Sequence, residues 1–116
     1  MDAYNIRKIR RDELSFIRDM PPPEWNLDLE EIYSLYYDQD YFYPIVAFVN
    51  SEIVTTDMAM VHENFAWLGT IIVLKEYRNK GIGEAITNYL IRYSLSKGIE
   101  SIILAASDMG LSLYKK

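Results

Sequence analysis

One stretch limits this chain more than any other: an apolar run, a basic glycine loop and an amphipathic helix in immediate succession. Trp67 to Leu74 is apolar and ends in Ile71, Ile72 and Val73, which reads as a buried strand. The loop Lys75-Glu76-Tyr77-Arg78-Asn79-Lys80-Gly81 follows. Ile82, Ile86, Tyr89, Leu90 and Tyr93 then recur at helical spacing up to Lys97, where Gly98 supplies a stop. A strand that turns directly into a helix presents unpaired backbone N–H groups at the positive end of the helix dipole. Gly81 and Gly83 carry no Cβ, so an anion can approach the main chain closely, and Arg78 and Lys80 add positive charge beside it. The segment is a phosphate cradle in outline.

Two common cradles are excluded by spacing. No Gly-x-x-x-x-Gly-Lys followed by Ser or Thr occurs anywhere in the chain. The dinucleotide pattern Gly-x-Gly-x-x-Gly begins at Gly81 and Gly83 but meets Ile86 at its third place, where close helix–strand packing wants Gly or Ala. Arg78, Gly81 and Gly83 do satisfy Arg/Gln-x-x-Gly-x-Gly/Ala. With the Val73–Glu84 string around it, this resembles the pyrophosphate loop of the GNAT superfamily of N-acetyltransferases, which bind acetyl-coenzyme A.

The rest of the chain gives an element order to set beside that loop. Tyr4 to Ile9 reads as a short strand, and Asp12 caps a helix to about Asp19 that buries Leu14, Phe16 or Ile17, and Met20. Pro21-Pro22-Pro23 ends it. Leu29 to Tyr37 is a second helix capped by Asp28, and Asp38 to Tyr43 a loop. Pro44–Val49 and Glu52–Met60 form a hairpin about Asn50-Ser51, and His62-Glu63-Asn64 turns into the strand ending at Leu74. Beyond the helix after the glycine loop, Ser101 to Ala106 is a short buried strand, and Ser107 caps a final helix through Tyr114.

Strand, two helices, three antiparallel strands, helix, strand, helix is the GNAT order. The resemblance implies an α/β (α+β) fold with a mixed, mostly antiparallel sheet flanked by helices. It implies one domain over residues 1–116 that ends after the last helix, without the further strands the family carries there. Backbone groups of Ile71, Ile72 and Val73 would pair with the pantetheine arm, and the amides of Asn79, Lys80, Gly81, Ile82, Gly83 and Glu84 would hold the pyrophosphate beside Arg78. Where the family has an Asn before the last helix this chain has Ser107, which can still hydrogen-bond the coenzyme. Tyr114 stands where family members protonate the departing thiolate, a role that a phenol can fill.

Charge is segregated. Not one Lys or Arg falls between Asp19 and Leu74, where ten acids lie, whereas the remaining residues hold all twelve bases against seven acids. That division suits an anionic cosubstrate on one surface and a cationic partner on another. The acidic segment Glu24 to Tyr43 also carries Trp25, Tyr33, Tyr36, Tyr37, Tyr41, Phe42 and Tyr43. Aromatic faces with carboxylates attract ammonium groups, which points to a small cationic amine as acceptor; burial of the tyrosines in a core and solvation of the acids is the competing reading. No basic stripe interleaved with aromatics speaks for nucleic acid. The chain has no cysteine and no apolar run of about 20 residues for a bilayer, so a cytoplasmic protein with no metal centre is expected, and an exposed last strand would favour a homodimer.

A general base is not assigned. The strand from Ala66 to Leu74 has no carboxylate, and Asp57, His62 and Glu63 are the nearest candidates in the sequence. An N-acetyltransferase is the expected activity, and a coenzyme A-binding module without turnover is the alternative.

Overall fold

The computed structural model describes residues 5–104, the side chain of Thr70 excepted. Ser107, Tyr114 and the expected final helix lie outside the described residues.

Five strands form a single sheet in the order β1-β2-β3-β4-β5: β1 (Asn5–Lys8), β2 (Phe42–Val49), β3 (Glu52–Val61), β4 (Phe65–Val73) and β5 (Ser101–Leu104). All neighbours are antiparallel except β4 and β5, which run parallel because helix α2 (Ile82–Ser96) carries the chain back between them. Helix α1 (Leu29–Tyr36) precedes β2, and Asp28 caps it by accepting the Glu31 N–H at 3.0 Å. The β2–β3 turn places both Asn50 and Ser51 at positive φ (50° and 71°), the twist a two-residue hairpin needs.

The sheet has an apolar cover on each face. On one side α2 lays Ile82, Ile86 and Leu90 over Ile45, Ala47, Ala59 and Leu68. On the other, Leu14, Ile17, Leu29 and Tyr33 pack on Val46, Met58 and Ile72. Strand alternation assigns these residues to their faces, except that a bulge in β4 puts Leu68 and Ile72 on opposite sides.

Two expectations need correction. The first helix is a 3-10 segment, Arg11–Ile17, rather than an α-helix from Asp12. Glu13 tightens its first turn, accepting the Arg10 N–H at 2.8 Å while gripping Arg7, and the prolines leave no room to regularise it. Ile17 is the buried member of the pair, and Phe16 is 68% exposed. The last strand is not buried: Ile103 and Leu104 are 51% and 39% exposed. Among the described residues it lies at the sheet edge, with β4 as its strand neighbour.

Candidate functional site

The stretch that matters is the end of β4 and the loop that follows it. β5 is described as far as Leu104, which pairs with Leu68, and β4 continues to Val73. A bulge lies in β4 just beyond that pair. Across the β3–β4 seam Thr56 faces Ile72 and Met58 faces Gly69, so β4 spends one residue more than β3 over this interval, at Thr70–Ile71. Such an extra residue bends its strand, here just before the C-terminal half of β4. Ile71, Ile72 and Val73, expected to face an extended ligand, occupy that half.

Past Val73 the chain makes a 3-10 turn, Lys75–Tyr77, and enters α2. Asn79 at φ 63° and Gly81 at φ 84° alternate with ordinary backbone and curl the loop so that successive amides face one side. Gly81 is the N-cap, and no side chain caps the helix. The N–H groups of Ile82, Gly83 and Glu84 thus have no intrahelical acceptor. A Cβ built on Gly81 would meet no atom within 4 Å, so the loop is uncrowded at that residue. The loop therefore fits a diphosphate. Its cations are partly engaged: Arg78 Nε donates to the Val73 carbonyl at 3.0 Å, and Lys80 Nζ lies 5.6 Å from the Tyr77 ring centre. Arg78 ties the loop to the end of β4 as well as adding charge.

The acidic aromatic segment is resolved less generously. Tyr33 is buried and meets Phe42 edge-on at 5.2 Å, so both are core. Tyr37 donates its hydroxyl to the Ile9 carbonyl at 2.7 Å, and its ring is faced by Lys8 and Arg11 from the chain itself. Tyr43 is on the opposite side of the sheet, stacked on Tyr93 at 3.7 Å; burial raises its phenol, and the bond with Tyr89 adds to that. Glu30 and Asp38 pair with Arg18 and Arg11. What remains is a cleft of about 790 Å³ between the prolines and α1, where Asp19, Asp28 and Glu31 gather around Arg18. The core thus absorbs Tyr33 and Phe42, whereas Trp25, Tyr36, Tyr37, Tyr41 and Tyr43 are half-buried and most of the carboxylates lie at the surface.

The three base candidates separate. His62 and Glu63 are exposed in the β3–β4 turn, at the opposite end of β4 from the glycine loop, where the His62 ring stacks on Phe65 at 4.8 Å. Asp57 is wholly buried on β3 beside the β4 bulge. Burial pushes its carboxyl well above the usual range, and a hydrogen bond from the Met58 N–H opposes this. A carboxyl sealed inside the sheet is not a base poised for solvent exchange. Sequence reasoning missed this placement; an aspartate inside Val54-Thr55-Thr56-Asp57-Met58-Ala59 was the available signal.

Among the described residues no cluster of His, Asp and Glu could hold a metal ion, and no helix is long and apolar enough to cross a membrane.

A family model described as the acetyltransferase (GNAT) family matches residues 3–116. Similar solved structures include an acetyltransferase from Trypanosoma brucei, 21% identical with a TM-score of 0.78, over 97% of this chain and 89% of that one. A predicted acetyltransferase with acetyl-CoA from Clostridium acetobutylicum aligns with a TM-score of 0.80 at 17% identity, over 97% and 87%. The aminoglycoside N-acetyltransferase AAC(6')-Iy in complex with CoA aligns with a TM-score of 0.81 at 15% identity, over 99% and 84%. At these identities the likeness shows the fold. No curated protein matches the chain.

Proposed function

The chain belongs to the acetyltransferase (GNAT) family, and from that premise we propose that it moves an acetyl group from acetyl-coenzyme A to the primary amine of a small cationic acceptor in the cytoplasm. The observation that carries this reading is the run from the end of β4 through the positive-φ loop at Asn79 and Gly81 into an α2 start with no side-chain cap. An arm lying along Ile71, Ile72 and Val73 adds main-chain pairing to β4. At its far end the amides of Asn79 to Glu84, with Arg78 and Lys80, hold the diphosphate. Ser107 adds a hydrogen bond. When bound, the coenzyme supplies the acetyl thioester.

Acetyl transfer needs the amine aligned with that thioester and a proton for the leaving sulfur. Tyr114 is the proton donor in this reading. Asp19, Asp28 and Glu31 draw the cationic acceptor to their cleft through Coulomb attraction. The likeness to aminoglycoside acetyltransferases, one of them in complex with sisomicin, supports a polyamine-like or amino-sugar acceptor.

A coenzyme A titration and a thiol-release assay over cationic, neutral and anionic acceptors test the proposal together. Coenzyme binding with turnover on cationic amines is the expected result; preference for anionic acceptors counts against it. A second reading, a coenzyme A-binding module without turnover, draws on the burial of Asp57 and the lack of any carboxylate in β4. Tyr114→Phe distinguishes them. An enzyme loses turnover and keeps its coenzyme affinity; a binding module has no turnover to lose.

A further inference from the structure

Phe16 stands 68% exposed on the 3-10 segment, next to the buried Ile17. One apolar side chain at a surface is ordinary, but this one is not isolated. It shares a cleft of about 460 Å³ with Met20, Phe48, Ile53 and Leu74, all of them half-buried. The fold, not the sequence, brings these residues together. The chain leaving the 3-10 segment meets the hairpin end of β2 and β3 at Asp19 and Met20. Leu74 joins them because its N–H donates to the Val54 carbonyl at 2.9 Å, holding the exit of β4 against the start of β3. The result is an apolar trough at the end of the sheet from which the glycine loop departs.

Its charge is one-sided. The lining carries Glu13, Asp19 and Glu52 and no base. Glu13 is already engaged by Arg7, whose guanidinium also lies over the Phe48 ring, 4.4 Å from its centre. Glu52 accepts from the Tyr77 hydroxyl at 3.3 Å and stays exposed, as does Asp19. Asp19 lines the cleft of Asp28 and Glu31 as well, so the apolar trough and the acidic cleft meet at this residue. Such a rim repels an anion, and a neutral apolar molecule gains nothing from it. An ammonium joined to an apolar group satisfies both halves, by Coulomb attraction and by loss of apolar surface from water.

We infer that the acceptor is an amphiphilic amine, with an apolar chain or ring seated against Phe16 and ammonium groups held at Asp19 and the acids beside it. The inference deepens the acceptor reading given above and rests on it. Phe16 is a specificity residue in this arrangement: it selects the apolar part of the acceptor and takes no part in proton transfer.

Two probes of equal charge separate the apolar contribution from the Coulombic one: putrescine and N-hexylputrescine, each with a primary amine. Calorimetry gives their affinities and thiol release their Michaelis constants, in wild type, Phe16→Ser and Leu35→Ser. Leu35 is 71% exposed and does not line the cleft, so its variant controls for nonspecific apolar attraction. Circular dichroism checks that both variants fold, as replacement of an exposed side chain should allow. Wild type and Leu35→Ser should bind N-hexylputrescine at least about tenfold more tightly than putrescine, since each methylene fully buried contributes about fourfold. Phe16→Ser should lose most of that advantage while its affinities for putrescine and coenzyme A stay unchanged. In wild type the Phe16 ring resonances should shift with N-hexylputrescine, and unmoved resonances overturn the inference without any variant. Thiol release with equal affinity for the two amines overturns this inference alone, and so does a hexyl advantage that survives Phe16→Ser. Tight N-hexylputrescine binding without thiol release overturns the transfer reading and supports the cleft as an amine site. Failure of both amines to bind overturns the two together.

Discussion

Arg7 and Glu13 meet through two parallel hydrogen bonds, Nη1 to Oε1 at 2.9 Å and Nη2 to Oε2 at 2.8 Å. The pair ties β1 to the 3-10 segment. The Glu13 side chain is only 6% exposed, whereas that of Arg7 is 40% exposed. The Arg7 hydrogen bond is the largest influence on Glu13 and lowers its carboxyl from 4.5 to about 2, although burial works against it.

An acid held below its unfolded value stabilises the fold above that value and loses the contribution as pH falls. The Arg7–Glu13 contribution is therefore complete above about pH 4.5 and fades between pH 4.5 and about 2. Glu13→Gln should lower stability at pH 7 by about 2 kcal/mol, the scale of a hydrogen bond to a charged group. Thermal melts of both proteins should converge toward pH 2; a constant gap would refute the linkage.

Asp57 has the opposite sign. Its carboxyl is raised in the folded protein, so its relative stabilisation is full below the unfolded value of 3.8 and is lost as pH rises through the range above it. Asp57→Asn carries no such loss. Its melting temperature should match wild type below pH 3.8 and exceed it at pH 7, as scanning calorimetry across that range would read.

Gly81 occupies φ 84° in open space. Gly81→Ala should cost about 1–2 kcal/mol from left-handed strain alone, since no neighbour is struck. The new methyl group lies before the loop amides, so coenzyme A affinity should fall as well. Unchanged calorimetric affinity would contradict the cradle.

Gly69 is covered by Trp67. A Cβ there would lie 2.7 Å from the far end of the indole, so Gly69→Ala must displace the ring or the bulge next to it. The cost should be about 1–3 kcal/mol, with a shift in tryptophan emission. An emission spectrum and stability equal to wild type would show the contact to be loose.

Much of this molecule was legible in local signals. Asp28 before an amphipathic run announced α1, Asn50-Ser51 between apolar strands announced the hairpin, and the glycine loop announced an uncapped helix start. Each depends on residues within a few positions of one another, where backbone preference and side-chain chemistry act directly. Other features were not legible because they depend on partners far along the chain. Arg11 and Lys8 claim the Tyr37 ring across the fold, which no reading of residues 24–43 could reveal.

By itself, then, the sequence determined the order of the described elements, the family and the place of the glycine loop between β4 and α2. The tertiary structure alone decided where β4 bulges, and that Asp57 is sealed inside the sheet. The physical reason is register: pairing between strands is a choice among alignments of nearly equal local merit, and it is settled only when both faces of the sheet find their cores.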